Sequence, residues 1–170
     1  GYNSVCLPFA MSSADFGEGA KIEQYTGGVE QNGSATLYFE DTDNTLDAGT
    51  PCLVYCPEEI TSWNIVKHDI EVVSSTTKSV DSFGTLNGSY TNKAIGANNY
   101  KLNAVGTAFG VTTDKGTVTA FRCYFTPFGT TASAPRLLNV IHQQHPITGI
   151  QNMVNNDEQT TENFDLTGRK

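Results

Sequence analysis

Acidic residues alternate along residues 41–47, whose sequence is DTDNTLD. Alternating carboxylates of this kind bring oxygen ligands together around Ca²⁺ in calcium-binding loops. The complete helix–loop–helix calcium motif also requires Gly at its sixth position and Glu at its twelfth. Counted from Asp41, those two positions hold Leu46 and Cys52. We therefore interpret the run as a solvated acidic turn between two strands and predict no metal site there.

Two histidines, His142 and His145, stand in the segment HQQHP and are near enough in sequence to share a metal ion. No carboxylate or third histidine stands beside them, and Pro146 is typical of the end of a strand. The third histidine, His68, is isolated in sequence. We therefore predict that none of the histidines binds a metal.

The signatures of hydrolases and nucleotide-binding enzymes are missing from the sequence. It has no G-x-S-x-G turn and no cysteine beside a histidine-bearing motif. Gly17 and Gly19 follow no strong strand and lack the third glycine of a dinucleotide-binding turn. Carboxylate pairs for glycoside hydrolysis converge only in space, so that alternative stays open. Its candidates are the loop at 41–47, Glu58, Glu59, Asp69 and Glu71. We predict that the chain is not an enzyme and needs no cofactor.

The four cysteines favour a structural interpretation. Cys52 and Cys56 are four residues apart on one apolar segment, which places them about 13 Å apart on a strand. They cannot bond to each other at that distance, and their spacing does not fit a zinc knuckle. A disulfide between neighbouring strands, Cys6 to Cys52 or Cys56 to Cys123, remains open. We expect four buried thiols that pack as small hydrophobic side chains.

Four aromatic residues stand near predicted turns, where their rings would be exposed to solvent. They are Trp63, Tyr25, Tyr90 and Tyr100. A planar ring can stack on the apolar face of a sugar, so these residues are the predicted ligand-binding set. Packing in the core is the alternative explanation for each of them.

The bulk composition restricts the classes of partner. The chain has 170 residues and a net charge of −8, with 18 acidic against 10 basic residues. Nucleic acids and anionic membranes select for clustered Lys and Arg, so we predict binding to neither. No apolar run approaches the roughly 20 residues of a membrane helix, so we also predict no membrane insertion.

Alternation of apolar residues with a period of two predicts an all-β fold. The stretch TVTAFRCYFTPF, at 117–128, is expected to be a central strand covered on both faces. Phe121, Cys123 and Phe125 would share one face. The other expected strands are 3–9, 21–25, 35–40, 51–56, 63–75, 79–90, 100–102, 107–111 and 135–142. Ser12 or Ser13 is expected to cap a short helical turn at 14–16.

Short strands at this spacing predict a β-sandwich, jelly-roll-like, with about ten strands and one or two helical turns. Gly27-Gly28 and Asn32-Gly33 are expected to flank a turn, and Asn32-Gly33 and Asn87-Gly88 are each interpreted as an Asn-Gly turn. The sandwich domain is assigned to residues 1–145. Residues 146–170 are polar and have no sustained period, which is typical of a linker.

Several segments resemble a known family. They are SVCLPFAM, DAGTPCLVYCP, LNGSY and AFRCYF. Together they are similar to a β-rich domain near the C terminus of large surface and secreted proteins of gut and oral Bacteroidetes, whose members read W-N-T-L-C-L-P-F, A-G-x-P-Y-L-V and F-R-A-Y-F. Tyr2, Cys52 and Cys123 depart from that pattern but keep its apolar character. The ending FDLTGRK resembles the start of the C-terminal sorting segment of such proteins.

The resemblance implies a location and a role. It implies a non-catalytic accessory module, for spacing or adhesion, in a protein exported across the outer membrane to the cell surface or the extracellular space. A carbohydrate-binding module that uses loop aromatics is the alternative. The implied partners are polysaccharide, a host or bacterial surface glycan, and the other domains of the same full-length protein.

Overall fold

A computed structural model describes residues 1–60, 72–74, 77–80, 83–128 and 135–143, and in these ranges the chain is all-β, as predicted. The strands are β1 (Tyr2–Val5), β2 (Met11–Ser12), β3 (Lys21–Gln31), β4 (Ser34–Asp41), β5 (Thr45–Leu46), β6 (Cys52–Tyr55), β7 (Thr77–Val80), β8 (Gly84–Ser89), β9 (Lys93–Ala94), β10 (Tyr100–Leu102), β11 (Ala108–Val111), β12 (Thr117–Val118), β13 (Arg122–Pro127) and β14 (Leu137–Gln143). Most of the strand expected at 63–75 and the linker expected at 146–170 lie outside the described residues.

Ten of these strands form one mixed sheet in the order β1-β6-β3-β4-β14-β11-β10-β13-β8-β7. The β14–β4 pair is parallel and the other pairs are antiparallel. The sheet rolls up until it is nearly a barrel, which brings β1 back beside β13. Two small ribbons, β2 with β5 and β9 with β12, lie outside this sheet.

The interior of the rolled sheet is an aromatic core. Tyr25 on β3 meets Phe125 on β13 edge to face, with 5.5 Å between the ring centroids. Phe39 on β4 stacks parallel to Phe109 on β11 at 6.1 Å. The strands β3 and β13 are far apart in the sheet order, so the Tyr25–Phe125 contact packs one half of the sheet on the other as the layers of a sandwich do, whereas β4 and β11 are separated only by β14.

A second apolar cluster covers the outer face of β1, β6 and β3. Val5, Ile22 and Val54 point to this side and pack under Met11, Phe16 and Leu46 of the β2–β5 region. On β6, Leu53 points the opposite way into the aromatic core. The PCLVYC segment is therefore buried on both faces.

The helical turn begins where the sequence predicts. Ser12 precedes a 3-10 helix (Ser13–Phe16). The Asp15 carboxylate accepts hydrogen bonds from the Ser12 backbone N–H (2.7 Å) and from the Ser12 hydroxyl (3.1 Å). The turn ends at Gly17, whose φ of 114° suits a residue without a Cβ.

The local turn signals gave mixed results. Asn32 and Gly33, both with positive φ, make the β3–β4 hairpin turn as predicted. Gly27 and Gly28 do not form a turn, because β3 runs through them as the partner of β4 with only a bulge after Tyr25. The turn predicted at Asn87-Gly88 is also wrong, since both residues lie inside β8 and pair with β13.

The stretch at 117–128 is two strands and not one. It breaks at residues 119–121, and Phe121 has a left-handed φ of 62°. Cys123 and Phe125 lie in the interior as expected, but Phe121 is 46% exposed and does not share their face. The break sits where the chain crosses from the β9–β12 ribbon into the main sheet. Alternation alone does not reveal it.

Side chains close the seam between β1 and β13, where the two strands share no regular ladder. The Ser4 hydroxyl accepts from the Cys123 N–H (3.2 Å) and donates to its carbonyl (3.4 Å). The Arg122 guanidinium donates to the Ser4 carbonyl at 3.2 Å, and the Cys123 thiol donates to the Val5 carbonyl at 3.0 Å. A direct backbone bond from Cys6 N–H to the Phe121 carbonyl, at 3.0 Å, completes the seam.

The aromatic core can be tested with two phenylalanines of the same region. Phe125→Ala should lower the free energy of unfolding by about 3–5 kcal/mol, because it leaves a cavity beside the rings of Tyr25 and Phe83. Phe128→Ala removes a ring that is 51% exposed and should change it by less than about 0.5 kcal/mol. Urea denaturation measures both, and similar losses in the two variants would contradict the assigned core.

Candidate functional site

Two of the four predicted ligand-binding aromatics are buried. Tyr25 has no exposed surface, and Tyr100 is 1% exposed. Tyr25 points into the barrel on β3, and the Tyr100 hydroxyl donates to the Pro135 carbonyl at 2.8 Å. The prediction that these rings are exposed is wrong, because the strands that carry them turn both rings inward. Neither ring can stack on a sugar in this conformation.

The other two predicted aromatics have different outcomes. Tyr90 is half-buried, and its hydroxyl reaches the Leu7 carbonyl at 3.4 Å. Its ring lies 6.3 Å from the ring of Phe121. Trp63 lies outside the described residues. Phe121, which alternation assigned to the core, is the ring that the fold presents at this surface.

The backbone holds Phe121 in an uncommon conformation. A bulky residue with positive φ costs of the order of 1–2 kcal/mol relative to glycine. The Cys6 N–H donates to the Phe121 carbonyl, and Arg122 donates to Asn3 and Ser4, so the backbone is fixed on the C-terminal side of Phe121. These seam contacts therefore hold an exposed apolar ring in an uncommon backbone conformation.

Phe121 lies on the edge of an open groove of about 710 Å³, here called the β1 groove. Its buried lining is apolar, with Val5, Leu7, Phe16, Val54 and Cys56. Its exposed lining includes Asn3, Glu58, Glu59, Phe121 and Arg122. The volume is in the range of binding sites for small molecules or short segments. An apolar floor with a charged rim is suited to binding.

A cluster of three polar side chains, Tyr2, Glu23 and His142, lies at one end of the barrel. Glu23 is almost fully buried, and its Oε1 accepts from the Tyr2 hydroxyl at 2.8 Å. Its Oε2 lies 2.5 Å from Nδ1 of His142, whose ring stacks on Tyr2 with 3.7 Å between centroids. A carboxylate only accepts hydrogen bonds, so it places the imidazole proton on Nδ1. The cluster fastens β1, β3 and β14 together.

Sequence reasoning missed this cluster. It considered His142 as a metal ligand with His145, which lies outside the described residues, and it did not single out Glu23. One feature of the sequence could have revealed it. Glu23 is an acidic residue two positions before Tyr25, so on a strand its side chain points to the same, inward side as the Tyr25 ring. In the part of the chain that the structure describes, no three His, Cys, Asp or Glu side chains are placed to hold a metal ion.

The acidic run at 41–47 forms a tight turn. Asp43 and Asn44 have left-handed φ values of 50° and 70°. The Thr42 hydroxyl donates to the Thr45 carbonyl at 2.7 Å, and β5 then pairs with β2. This geometry agrees with the interpretation as a solvated turn between strands, because Asp43, Asn44 and Thr45 are all exposed.

All four cysteines fall within the described residues, and no disulfide joins any of them. Burial raises the pKa of the Cys52 thiol, and the neighbouring Cys6 raises it further. Burial raises the pKa of the Cys123 and Cys56 thiols as well. A thiol with a raised pKa is a poor nucleophile, so the expectation of structural, buried thiols is confirmed and the two proposed disulfides are not present.

The comparisons with known proteins gave no match. No protein-family model, curated protein sequence or solved structure matched this chain. Among the described residues, no helix has the length and apolar character needed to cross a membrane.

The role of the Glu23 cluster can be tested by removing one hydroxyl group, that of Tyr2. Tyr2→Phe should lower the free energy of unfolding at pH 8 by about 1–3 kcal/mol, because a buried carboxylate oxygen loses its donor. Tyr55→Phe is the matched control, since its ring lies 5.1 Å from Tyr2. It should change stability by less than about 0.5 kcal/mol. Equal losses in urea denaturation would contradict the assigned role.

Tyr2→Phe should also change how the free energy of unfolding falls at alkaline pH. Burial and then the Glu23 hydrogen bond raise the pKa of Tyr2 above its ordinary 10.0. The folded state therefore keeps a proton that the unfolded state loses near pH 10, and stability present below pH 10 is lost as pH rises above it. Burial also raises the pKa of Tyr90 and Tyr100. Tyr2→Phe should therefore reduce the alkaline loss without abolishing it.

Thiol reactivity gives an independent check on the cysteines. At pH 8 and without reductant, we expect Cys6, Cys52 and Cys123 to react with a thiol reagent only after urea unfolds the chain. Cys56 lines the β1 groove, so it should be the first to react in the folded protein. Labelling followed by peptide mass mapping identifies each site. Recovery of two or fewer thiols after unfolding would mean that a disulfide forms.

Proposed function

We propose that this chain is a non-catalytic accessory module of a bacterial cell-surface or secreted protein, with a spacer or adhesion role. The resemblance of SVCLPFAM, DAGTPCLVYCP and AFRCYF to the Bacteroidetes surface domain supports this location. The module is exported across the outer membrane and acts with the other domains of its full-length protein.

The observation that carries the binding role is the β1 groove with Phe121 at its edge. The groove is open and apolar and is flanked by a ring in a conformation that the fold has to maintain. Its carboxylates, Glu58 and Glu59, are consecutive residues of one loop. Glycoside hydrolysis requires two carboxyl groups that face each other across the scissile bond, so the adjacency of these two favours binding without turnover.

A carbohydrate-binding module is the second candidate function. The pair formed by Phe121 and Tyr90, with centroids 6.3 Å apart, favours it because neighbouring rings can stack on successive sugars. Polysaccharide or a host or bacterial surface glycan would then be the partner. Tyr90 is half-buried, so it would contribute less contact surface to this candidate than the exposed Phe121.

Two measurements test the accessory role. Protease treatment of intact cells that express the full-length protein should remove this module, since it is at the surface. The purified chain should release no product from a broad panel of glycan, peptide and ester substrates. Reproducible turnover that Glu58→Gln or Glu59→Gln abolishes would overturn the proposal, as would protection of the module inside intact cells.

Glycan arrays followed by calorimetry separate the two candidates. Saturable glycan binding that Phe121→Ala removes and Phe128→Ala leaves intact would favour the carbohydrate-binding module. The control is matched because Phe128 is an exposed phenylalanine that does not line the β1 groove. No binding across the array leaves the spacer or adhesion role as the function.

A further inference from the structure

We propose that a small polar pocket at the seam between β1 and β13 binds the oxyanion group, a carboxylate or a sulfate, of an acidic sugar. The pocket, here called the seam notch, has a volume of about 200 Å³. It is distinct from the β1 groove, although Asn3 and Arg122 line both. The inference goes beyond the proposed surface role and rests on that role only for the source of the sugar.

The notch forms because two strands approach β13 one after the other. β10 pairs with β13 only where Tyr100 faces Phe125. The chain then turns back in a loop that the Asn103 side chain orders by accepting from two backbone N–H groups, at 2.7 and 3.0 Å. Further along β13, the Ser4 hydroxyl of β1 takes over and bonds the backbone of Cys123. The walls of the notch are therefore held by the closure of the sheet.

The charged groups that line the notch are cations. They are Lys101 and Arg122, and the lining contains no Asp or Glu. Within the described residues, neither cation forms an ion pair with a carboxylate. Glu58 and Glu59 line the β1 groove on the other side of Arg122, but both are exposed to screening by solvent, and the Gly1 α-ammonium shares that groove with them. The notch is thus a cationic site on a chain whose net charge is −8.

A buried carboxylate, that of Glu23, lies outside the lining but is bonded to one of its members. Its Oε1 accepts from the hydroxyl of Tyr2, which lines the notch, and its Oε2 is paired with His142 at the barrel end. The charge of Glu23 opposes an incoming anion. Two cations in the lining outweigh one carboxylate outside it, because Coulomb energy falls with distance.

Arg122 presents a fork of donors for an oxyanion. Its Nη1 donates to the Asn3 side chain at 3.0 Å and to the Ser4 carbonyl at 3.2 Å. The parallel Nε–H and Nη2–H groups form another edge of the guanidinium and have no partner among the described residues. Such an edge matches two oxygens of a carboxylate or a sulfate. The Nη1 bonds already hold the side chain, so binding costs it little further rotamer freedom.

The neutral side chains of the notch favour a sugar over an acidic peptide. A guanidinium only donates, so the Asn3 amide oxygen faces Arg122 and its Nδ2 group is left as a donor. The Thr119 hydroxyl is also exposed there. Hydroxyl groups that flank the acid of a sugar would pair with these groups, whereas the CH₂ group beside an Asp or Glu carboxylate would leave them unpaired. The volume is below that of sites for drug-sized ligands, so it suits one charged sugar unit.

The probe is trigalacturonate, a trimer of uronate sugars, compared with its methyl ester, which keeps the rings and loses the charges. Isothermal titration calorimetry with the whole 170-residue chain at pH 7 and low salt should show saturable binding of trigalacturonate and none of the ester. Salt at about 0.5 M should weaken the binding, because it screens exposed charges. A sulfated galactose trimer tests the second oxyanion, and acetyl-Gly-Glu-Gly-amide tests an acidic peptide.

Four variants locate the site. Lys101→Gln should weaken trigalacturonate about two- to fivefold, the range of an exposed ion pair. Arg122→Lys keeps the charge but loses the parallel donors, so it should weaken binding about tenfold. Lys115→Gln is the matched control, since it removes an exposed cation that lines neither pocket, and it should leave the affinity unchanged. Phe121→Ala, at the β1 groove, should also leave it unchanged. Circular dichroism of each variant checks the fold.

Each of three results would overturn the inference: no binding of either acidic trimer, equal binding of the methyl ester, or equal effects of Lys101→Gln and Lys115→Gln. Binding of the sulfated trimer alone would support it with sulfate as the recognised group. Equal binding of the glutamate peptide would overturn the choice of a sugar. The accessory role is contradicted by other results, namely turnover or protection of the module inside intact cells, so the two proposals fail separately.

Discussion

Closure of the rolled sheet is the constraint on which the other features depend. A rolled sheet must satisfy the backbone groups of the strands that meet at its seam, and β1 and β13 do so with the Ser4 hydroxyl and the Arg122 guanidinium. Because these side chains bridge the seam, the aromatic core behind it is sealed from solvent. The bond from the Cys6 N–H to the Phe121 carbonyl belongs to the same seam, so the exposed ring is a consequence of closure.

The aromatic core and the outer apolar cluster explain why the sequence of β6 is continuously hydrophobic. Leu53 packs into the barrel, while Val54 and Cys52 pack outward under the β2–β5 region. The outer layer also sets the floor of the β1 groove, because Phe16 of the 3-10 helix reaches it beside Val5. The β1 groove is therefore an opening between the inner sheet and its outer cover. It stands on packed elements, which keeps its shape defined in the absence of a ligand.

Polar groups are used in two different ways in this fold. At the barrel end, Glu23 is buried and held by Tyr2 and His142, an arrangement that joins three strands and is paired on both carboxylate oxygens. At the groove rim, Glu58 and Glu59 are exposed and offer their charge to solvent or to a ligand. Burial makes Glu23 depend on its two hydrogen-bond partners, whereas solvent stabilises the charges of the exposed Glu58 and Glu59.

The sequence by itself determined the features that depend on neighbours along the chain. The Asn32-Gly33 turn, the β10–β11 hairpin and the Asp15 cap on Ser12 each follow from a few adjacent residues. The all-β class and the burial of the four cysteines follow from the period of two and from apolar composition, which reflect whether a residue faces a core.

Tertiary structure decided the rest, because the deciding contacts join residues far apart in sequence. Glycines 27 and 88 became strand because β4 and β13 lie alongside them, although alone they favour turns. Tyr25 turned inward because Phe125, a hundred residues later, packs against it. The Glu23–His142 contact spans 119 residues and has no local signature. Phe121 is exposed because closing the seam between β1 and β13 places a left-handed residue there. That requirement arises only when β1 and β13, which are distant in sequence, lie side by side.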